Sequence, residues 1–118
     1  MSKPEIYRAP IPKSETLRLA KEEFEDMVKF VVDLKRRVIC AGGGLHSDEE
    51  QMLLTDGSQQ EDLWGANYYL EDASEDRFEY TSMINLRPQQ ENRSQEIQSP
   101  DIRKQVRQLA VHFFETSL

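Results

Sequence analysis

The sequence predicts an α+β fold: an antiparallel three- to four-stranded meander with an N-terminal and a C-terminal helix packed on one of its faces. Three observations predict it. Apolar residues recur at helical spacing near both ends of the chain. Two alternating aromatic runs in the middle are joined by a short acidic turn, as in a hairpin. The strand-like segments are contiguous and do not alternate with helices, which argues against a doubly wound sheet. The 118 residues fit a single core, and 28 of them are Leu, Ile, Val or Phe. That share exceeds the roughly 20% below which a charged chain stays disordered.

Each element has a local cause. Pro4, Pro10 and Pro12 forbid a helix and allow a short edge strand around Ile6-Tyr7, so residues 1–13 read as an extended arm. Residues 14–118 read as one domain. Ser14 is an N-cap candidate, and Leu17, Ala20, Phe24, Met27, Val28 and Val31 form one stripe of a helix over 15–33. Leu19 and Phe30 lie off the stripe, and Lys35-Arg36-Arg37 closes the helix at the negative end of its dipole. Val38-Ile39-Cys40-Ala41 is a short strand stopped by Gly42-Gly43-Gly44. Ser47-Asp48-Glu49-Glu50 fits a capping box, but Asp56-Gly57 arrives early and reads as a turn, so 46–54 is expected to be a strand.

Leu63–Leu70 and Arg77–Leu86 make the hairpin, with Trp64, Tyr68, Phe78, Tyr80 and Ile84 turned toward the helices. Asn67, Gly65, Asn85 and Arg87 then fall on the opposite face. Pro88–Gln98 is a polar loop, and Ser99-Pro100 opens a last helix with the stripe Ile102, Val106, Leu109 and Phe113.

The net charge is −7, and it is unevenly placed. Residues 45–80 hold eleven acids against the single base Arg77. A polyphosphate backbone would be repelled there, so duplex nucleic acid is not an expected partner. No apolar run is long enough for a membrane span, and Met1-Ser2-Lys3-Pro4-Glu5 lacks the apolar core of a signal peptide. The lone Cys40 sits in an apolar run and reads as a buried, inert thiol. A cytoplasmic protein without a cofactor is expected.

Four groups of residues could carry chemistry. The triple glycine lacks the spacing of a phosphate-cradling loop and reads as a tight turn. His46, Asp48 and Glu50 are ligand types at alternate positions. On a strand the outer two would lie ~13 Å apart, too far for one ion. On a helix His46, Glu49 and Glu50 become neighbours instead. No metal site is therefore expected. His112, beside the last helical stripe, reads as a boundary residue. The richest constellation is Asn67, Asn85, Arg87, Asn92, Arg93 and Ser94. Its two guanidinium forks and amides suit a phosphate or carboxylate, unless the acids of 45–80 neutralise them.

Gly42-Gly43, Leu45-His46-Ser47-Asp48, Leu53-Leu54, Asp56-Gly57-Ser58-Gln59, Asp62-Leu63-Trp64-Gly65, Ile84-Asn85-Leu86-Arg87-Pro88 and Asn92-Arg93-Ser94 follow one another in order. Together, over roughly residues 13–113, they resemble a small bacterial and cyanobacterial domain family of unknown function. The chain departs from that family's pattern at Gly44, where an acidic residue is usual, and at Glu91, where a glycine is usual. The second departure bears on a tight turn before Asn92. The resemblance implies one compact bacterial domain and no particular activity.

The leading functional expectation is a non-catalytic binding or interaction protein. Its expected partners are a small anionic ligand and a second copy of the chain. The alternative is a small hydrolase or phosphoryl-handling enzyme, with His46 as base, Asp48 or Glu50 as acid or ligand, and Arg87 with Arg93 as anion clamp.

Overall fold

The computed structural model describes residues 3–116. The first two residues of the expected arm and the last two of the chain lie outside the described residues. The fold is α+β, with five strands in one antiparallel sheet and three helices. In chain order these are β1 (Glu5–Tyr7), α1 (Lys13–Glu23), β2 (Met27–Asp33), β3 (Val38–Ala41), α2 (His46–Thr55), β4 (Leu63–Tyr69), β5 (Phe78–Glu79) and α3 (Pro100–Glu115). The sheet order is β1-β3-β2-β4-β5, so β2 is central and the chain crosses through α2 before β4 pairs with it. The sheet thus has more strands than expected and is not a simple meander. No helix among the described residues is long and apolar enough to cross a membrane.

The expected helix over 15–33 is two elements. α1 stops at Glu23 because the amides of Phe24 and Glu25 both turn back to the Ala20 carbonyl, at 2.9 and 2.7 Å, with Glu25 left-handed at φ 71°. No glycine or proline marks this stop in the sequence. Met27, Val28 and Val31 continue the helical spacing by coincidence, while β2 is buried on both faces and so lacks alternation. Lys35–Arg37 do not end a helix; they form the turn between β2 and β3. There the Asp33 carboxylate accepts the amides of Lys35 (2.9 Å) and Arg36 (2.8 Å), and Arg37 is left-handed at φ 58°.

Residues 46–54 are helical, not a strand. Asp56-Gly57 is the C-terminal stop of α2: Gly57 adopts φ 112°, its amide meets the Leu54 carbonyl (3.1 Å), and the Ser58 amide meets that of Leu53 (3.0 Å). This paired closure satisfies two carbonyls that the helix end would otherwise leave free. The last helix behaves as its sequence dictates. Ser99 caps it, accepting the Ile102 amide at 3.2 Å, with Pro100 as the first helical residue.

α1 and α3 cover one face of the sheet, where Leu19, Ala20, Leu109 and Phe113 meet Phe30, Ile39, Trp64 and Ala66. Each fully buried large side chain here contributes about 1.5–3 kcal/mol. α2 covers the other face, setting Leu53 on Val31, Cys40 and Leu63. Both faces are therefore buried. Trp64, Tyr68 and Phe78 do face the helices, with Tyr80 packed against the same cluster. Ile84 does not: β5 ends at Glu79, and a 3-10 turn at Met83–Asn85 folds over the second face, where Ile84 joins Leu53 and Leu63.

Candidate functional site

The second face is built around the start of α2. Gly42 has φ 96°, and a Cβ there would stand 2.6 Å from Leu19 Cδ2, so the turn leading into α2 needs glycine. The Gly43 amide donates to Glu49 Oε2 at 3.0 Å. Leu45 occupies the N-cap position and supplies no side-chain cap. Among the described residues no acceptor meets the amides of Ser47 and Asp48. This end of α2 has open donors, with the Asp48 carboxylate in the same first turn.

Beside it lies a cleft of about 390 Å³, lined by Lys29, Leu45, His46, Ser47, Asn67, Ser82, Met83 and Ile84, with Thr81 and Gln95 at its edge. Lys29 and Asn67 are direct partners across β2 and β4, and Asn67 pairs in turn with Glu79 of β5. The three side chains form one row across the sheet: cation, amide, carboxylate. Asn67 is only 5% exposed. Its Nδ2 donates to Glu79 Oε1 at 2.8 Å, which fixes the amide's orientation, and its Oδ1 receives no donor. Lys29 is half-buried, with its Nζ 5.5 Å from the centre of the Phe24 ring. No carboxylate pairs with it among the described residues. Glu49, fully buried behind this region, is pushed well above the usual carboxylate range by desolvation, partly opposed by the Gly43 amide.

His46 opens α2 and is 8% exposed. Its Nε2 lies 2.8 Å from the Ala66 carbonyl, so this nitrogen carries the proton and donates. Desolvation pulls its pKa down to about 4; the Ala66 carbonyl opposes that shift, Lys29 adds to it, and the nearby Asn67 side chain opposes it. The ring is neutral at pH 7.

The other expected site residues are placed as follows. Asp48 is exposed and turned away from His46, while Glu50 is half-buried one turn along the helix. These three do not converge, and no group of three ligand types gathers among the described residues. Asn85 is fully buried. Its Oδ1 accepts the Gly65 amide (2.9 Å) and its Nδ2 donates to the Gly65 and Gln95 carbonyls (3.0 and 3.1 Å), so the side chain replaces a missing neighbour strand. Asn92 organises the following loop, donating to the carbonyls of Asn85, Ser94 and Glu96 and accepting the Gln98 amide at 2.8 Å.

Arg87 is 3% exposed and its fork is spent internally. It donates to the carbonyls of Gln60 and Leu63, and its guanidinium stacks 4.1 Å over Trp64. Desolvation lowers its pKa, and the Glu50 charge opposes that. Arg87 does not line the His46 cleft. Arg93 is exposed, its amide held by Gln98 Oε1 at 2.7 Å, and Ser94 is half-buried, its Oγ accepting the Glu96 amide at 3.1 Å. Of the sequence-derived candidates, the cleft brings together His46 and Asn67 alone. Lys29 was hidden inside the supposed helix, and no alternation marked β2 as a strand.

A wider hollow of about 710 Å³ lies among α1, the end of β4 and α3, lined by Lys13, Leu17, Tyr68, Leu70 and Phe114. Its carboxylate, Glu115, is already held by Arg77 (2.7 and 2.8 Å) and the Tyr68 hydroxyl (2.9 Å). Its other charged groups, Lys13 and Glu71, are exposed.

No curated protein and no solved structure matches the chain. Residues 5–113 match the family model described as "Protein of unknown function (DUF5674)". With nearly its whole length matched, the chain belongs to this family of small domains of unknown function.

Proposed function

We propose that this domain is a non-catalytic binding protein for a small organic anion, seated in the cleft between the start of α2 and the Lys29–Asn67 pair. The observation that carries the reading is Lys29, a half-buried cation without a carboxylate partner, beside the open amides at the start of α2. The cleft volume falls within the roughly 300–1,000 Å³ of small-ligand sites. A hydrolytic reading would need His46 beside an Arg87 clamp, and those two side chains lie in separate surroundings. The buried thiol of Cys40 fits a reducing cytoplasm, the compartment in which we place this activity.

Titration calorimetry with 4-methylpentanoate, a carboxylate with a short apolar tail, tests the reading. Binding is expected in the wild type, at least ten-fold weaker in Lys29→Met, and unchanged in Arg93→Ala. Equal affinity in Lys29→Met, or no binding to the wild type, rejects it.

A further inference from the structure

We propose that the outer edge of β1 takes up an extended segment of a basic polypeptide as a further strand of the sheet. The site shares no residue with the anion cleft and does not depend on it. β1 is the end strand and pairs only with β3. The alternation of an antiparallel ladder decides which of its main-chain groups are free. The Gly42 amide donates to the Lys29 carbonyl (3.2 Å), next to the Phe30–Ala41 pair. Gly42, Cys40 and Val38 therefore bond toward β2, while Ala41 and Ile39 bond toward β1, where they face Glu5 and Tyr7. Ile6, opposite Cys40, turns its N–H and C=O out of the sheet. Neither group meets a partner among the described residues. Such a pair is a template for one more strand.

The two sides of this edge differ, and they set the side chains of the incoming strand. On the second face, beside α2, lies a hollow of about 480 Å³ lined by Ile6, Asp48, Gln51, Met52, Thr55 and Asp56. Ile6 and Met52 are half-buried against the second-face cluster and give the hollow an apolar floor. A residue set opposite Ile6 lays its side chain on that floor. On the first face, beside α1, the carboxylates of Glu5, Glu15 and Glu22 share the guanidinium of Arg18, which stands 3.6 Å from Glu5. The Tyr7 hydroxyl donates to Glu15 (2.8 Å) and holds that carboxylate at the edge. The neighbours of the incoming residue stand opposite Glu5 and Tyr7, over this cluster. The edge thus asks for an apolar residue flanked by two basic ones. Asp56 is already paired with Arg8 and Arg36, both at 2.7 Å, but the exposed Asp48 at the rim adds to the preference for positive charge.

A second copy of the chain fits this edge worse. Self-pairing about Ile6 would bring two such carboxylate clusters together on one face, in a chain of net charge −7. A basic partner turns the same charge into attraction.

Fluorescence anisotropy tests the proposal with a labelled peptide amide, Val-Lys-Val-Lys-Val, titrated with the protein. Binding is expected, and it should weaken about ten-fold when the valine nitrogens are methylated, which removes main-chain donors. A similar loss is expected with glutamates in place of the lysines, and for the original peptide with Glu5→Lys. Arg93→Ala should bind as the wild type does. The Ile6 amide should exchange its hydrogen at least ten-fold more slowly at saturating peptide. Circular dichroism checks the fold of each variant; should Glu5→Lys not fold, the three peptides on the wild type still decide. Equal affinity for the methylated or the acidic peptide, an unslowed Ile6 amide, or no binding up to about 1 mM protein overturns the proposal. A wild type that sediments as a dimer, with its Ile6 amide already protected, also overturns it and gives the edge to a second copy.

Discussion

At the scale of single residues, His46 shows how burial sets protonation. The ring must shed its charge to sit against the Ala66 carbonyl under α2, and its pKa falls from 6.5 to about 4. Above pH 6.5 the ring is neutral in both folded and unfolded chains, and the site contributes its full stability. As the pH drops toward 4, the unfolded chain takes up a proton that the folded ring resists, and stability is lost. That loss amounts to about 3 kcal/mol for one histidine shifted this far. In His46→Gln, whose amide can still donate to Ala66, the part of the decline due to this ring should vanish. Urea melts of both proteins at pH 7, 5.5 and 4.5 check it, and parallel declines would refute the assignment. Asn85 and Arg87 make a related point. Both looked like ligand-binding groups in the sequence, yet their hydrogen bonds go to the carbonyls of Gly65, Gln95, Gln60 and Leu63. A polar side chain that satisfies backbone from a distant segment has no local signature.

At the scale of elements, the turn before Asn92 is made with a left-handed residue that is not glycine. Arg87 and Asn92 exchange backbone hydrogen bonds at 2.8 and 3.1 Å, and Glu91 between them is left-handed at φ 60°. A left-handed non-glycine residue costs about 1–2 kcal/mol, partly offset by the smaller entropy lost on folding. Glu91→Gly should therefore stabilise the protein by about 0.5–1 kcal/mol, read as a higher urea midpoint at unchanged slope; a lower midpoint would show that the glutamate side chain contributes more than its strain costs. The same conformation stops α1 at Glu25, and there the sequence misleads. Glycine announces a left-handed stop, as Gly57 does after α2, whereas a glutamate in that conformation announces nothing. The capping-box pattern at Ser47–Glu50 lies inside the first turn of α2, whose N-cap is Leu45, so the segment is helical but that box does not form. Taking Asp56-Gly57 for a hairpin turn hid the helix, because one dipeptide serves both hairpins and helix ends.

At the scale of the whole molecule, charge sets an expectation of its own. The acidic stretch of 45–80 includes α2 and β4, so it spans the cleft side of the sheet as well as the hairpin turn. Fluorescence anisotropy with duplex DNA at physiological salt should show no binding; a micromolar dissociation constant would contradict that expectation. The sequence by itself determined the α+β class, the edge position of Ile6-Tyr7, the strand at Val38–Ala41, the pairing of 63–70 with the segment after Arg77 and the capped last helix. Each of these is written in nearby residues: prolines, an alternation of period two, a Ser-Pro start. Only the tertiary structure decided that β2 is a central strand, that α2 closes the second face, and that Lys29, His46 and Asn67 meet in one cleft. A strand buried on both faces carries no alternation, and side chains from β2, α2 and β4 become neighbours only through the pairing of strands far apart in sequence.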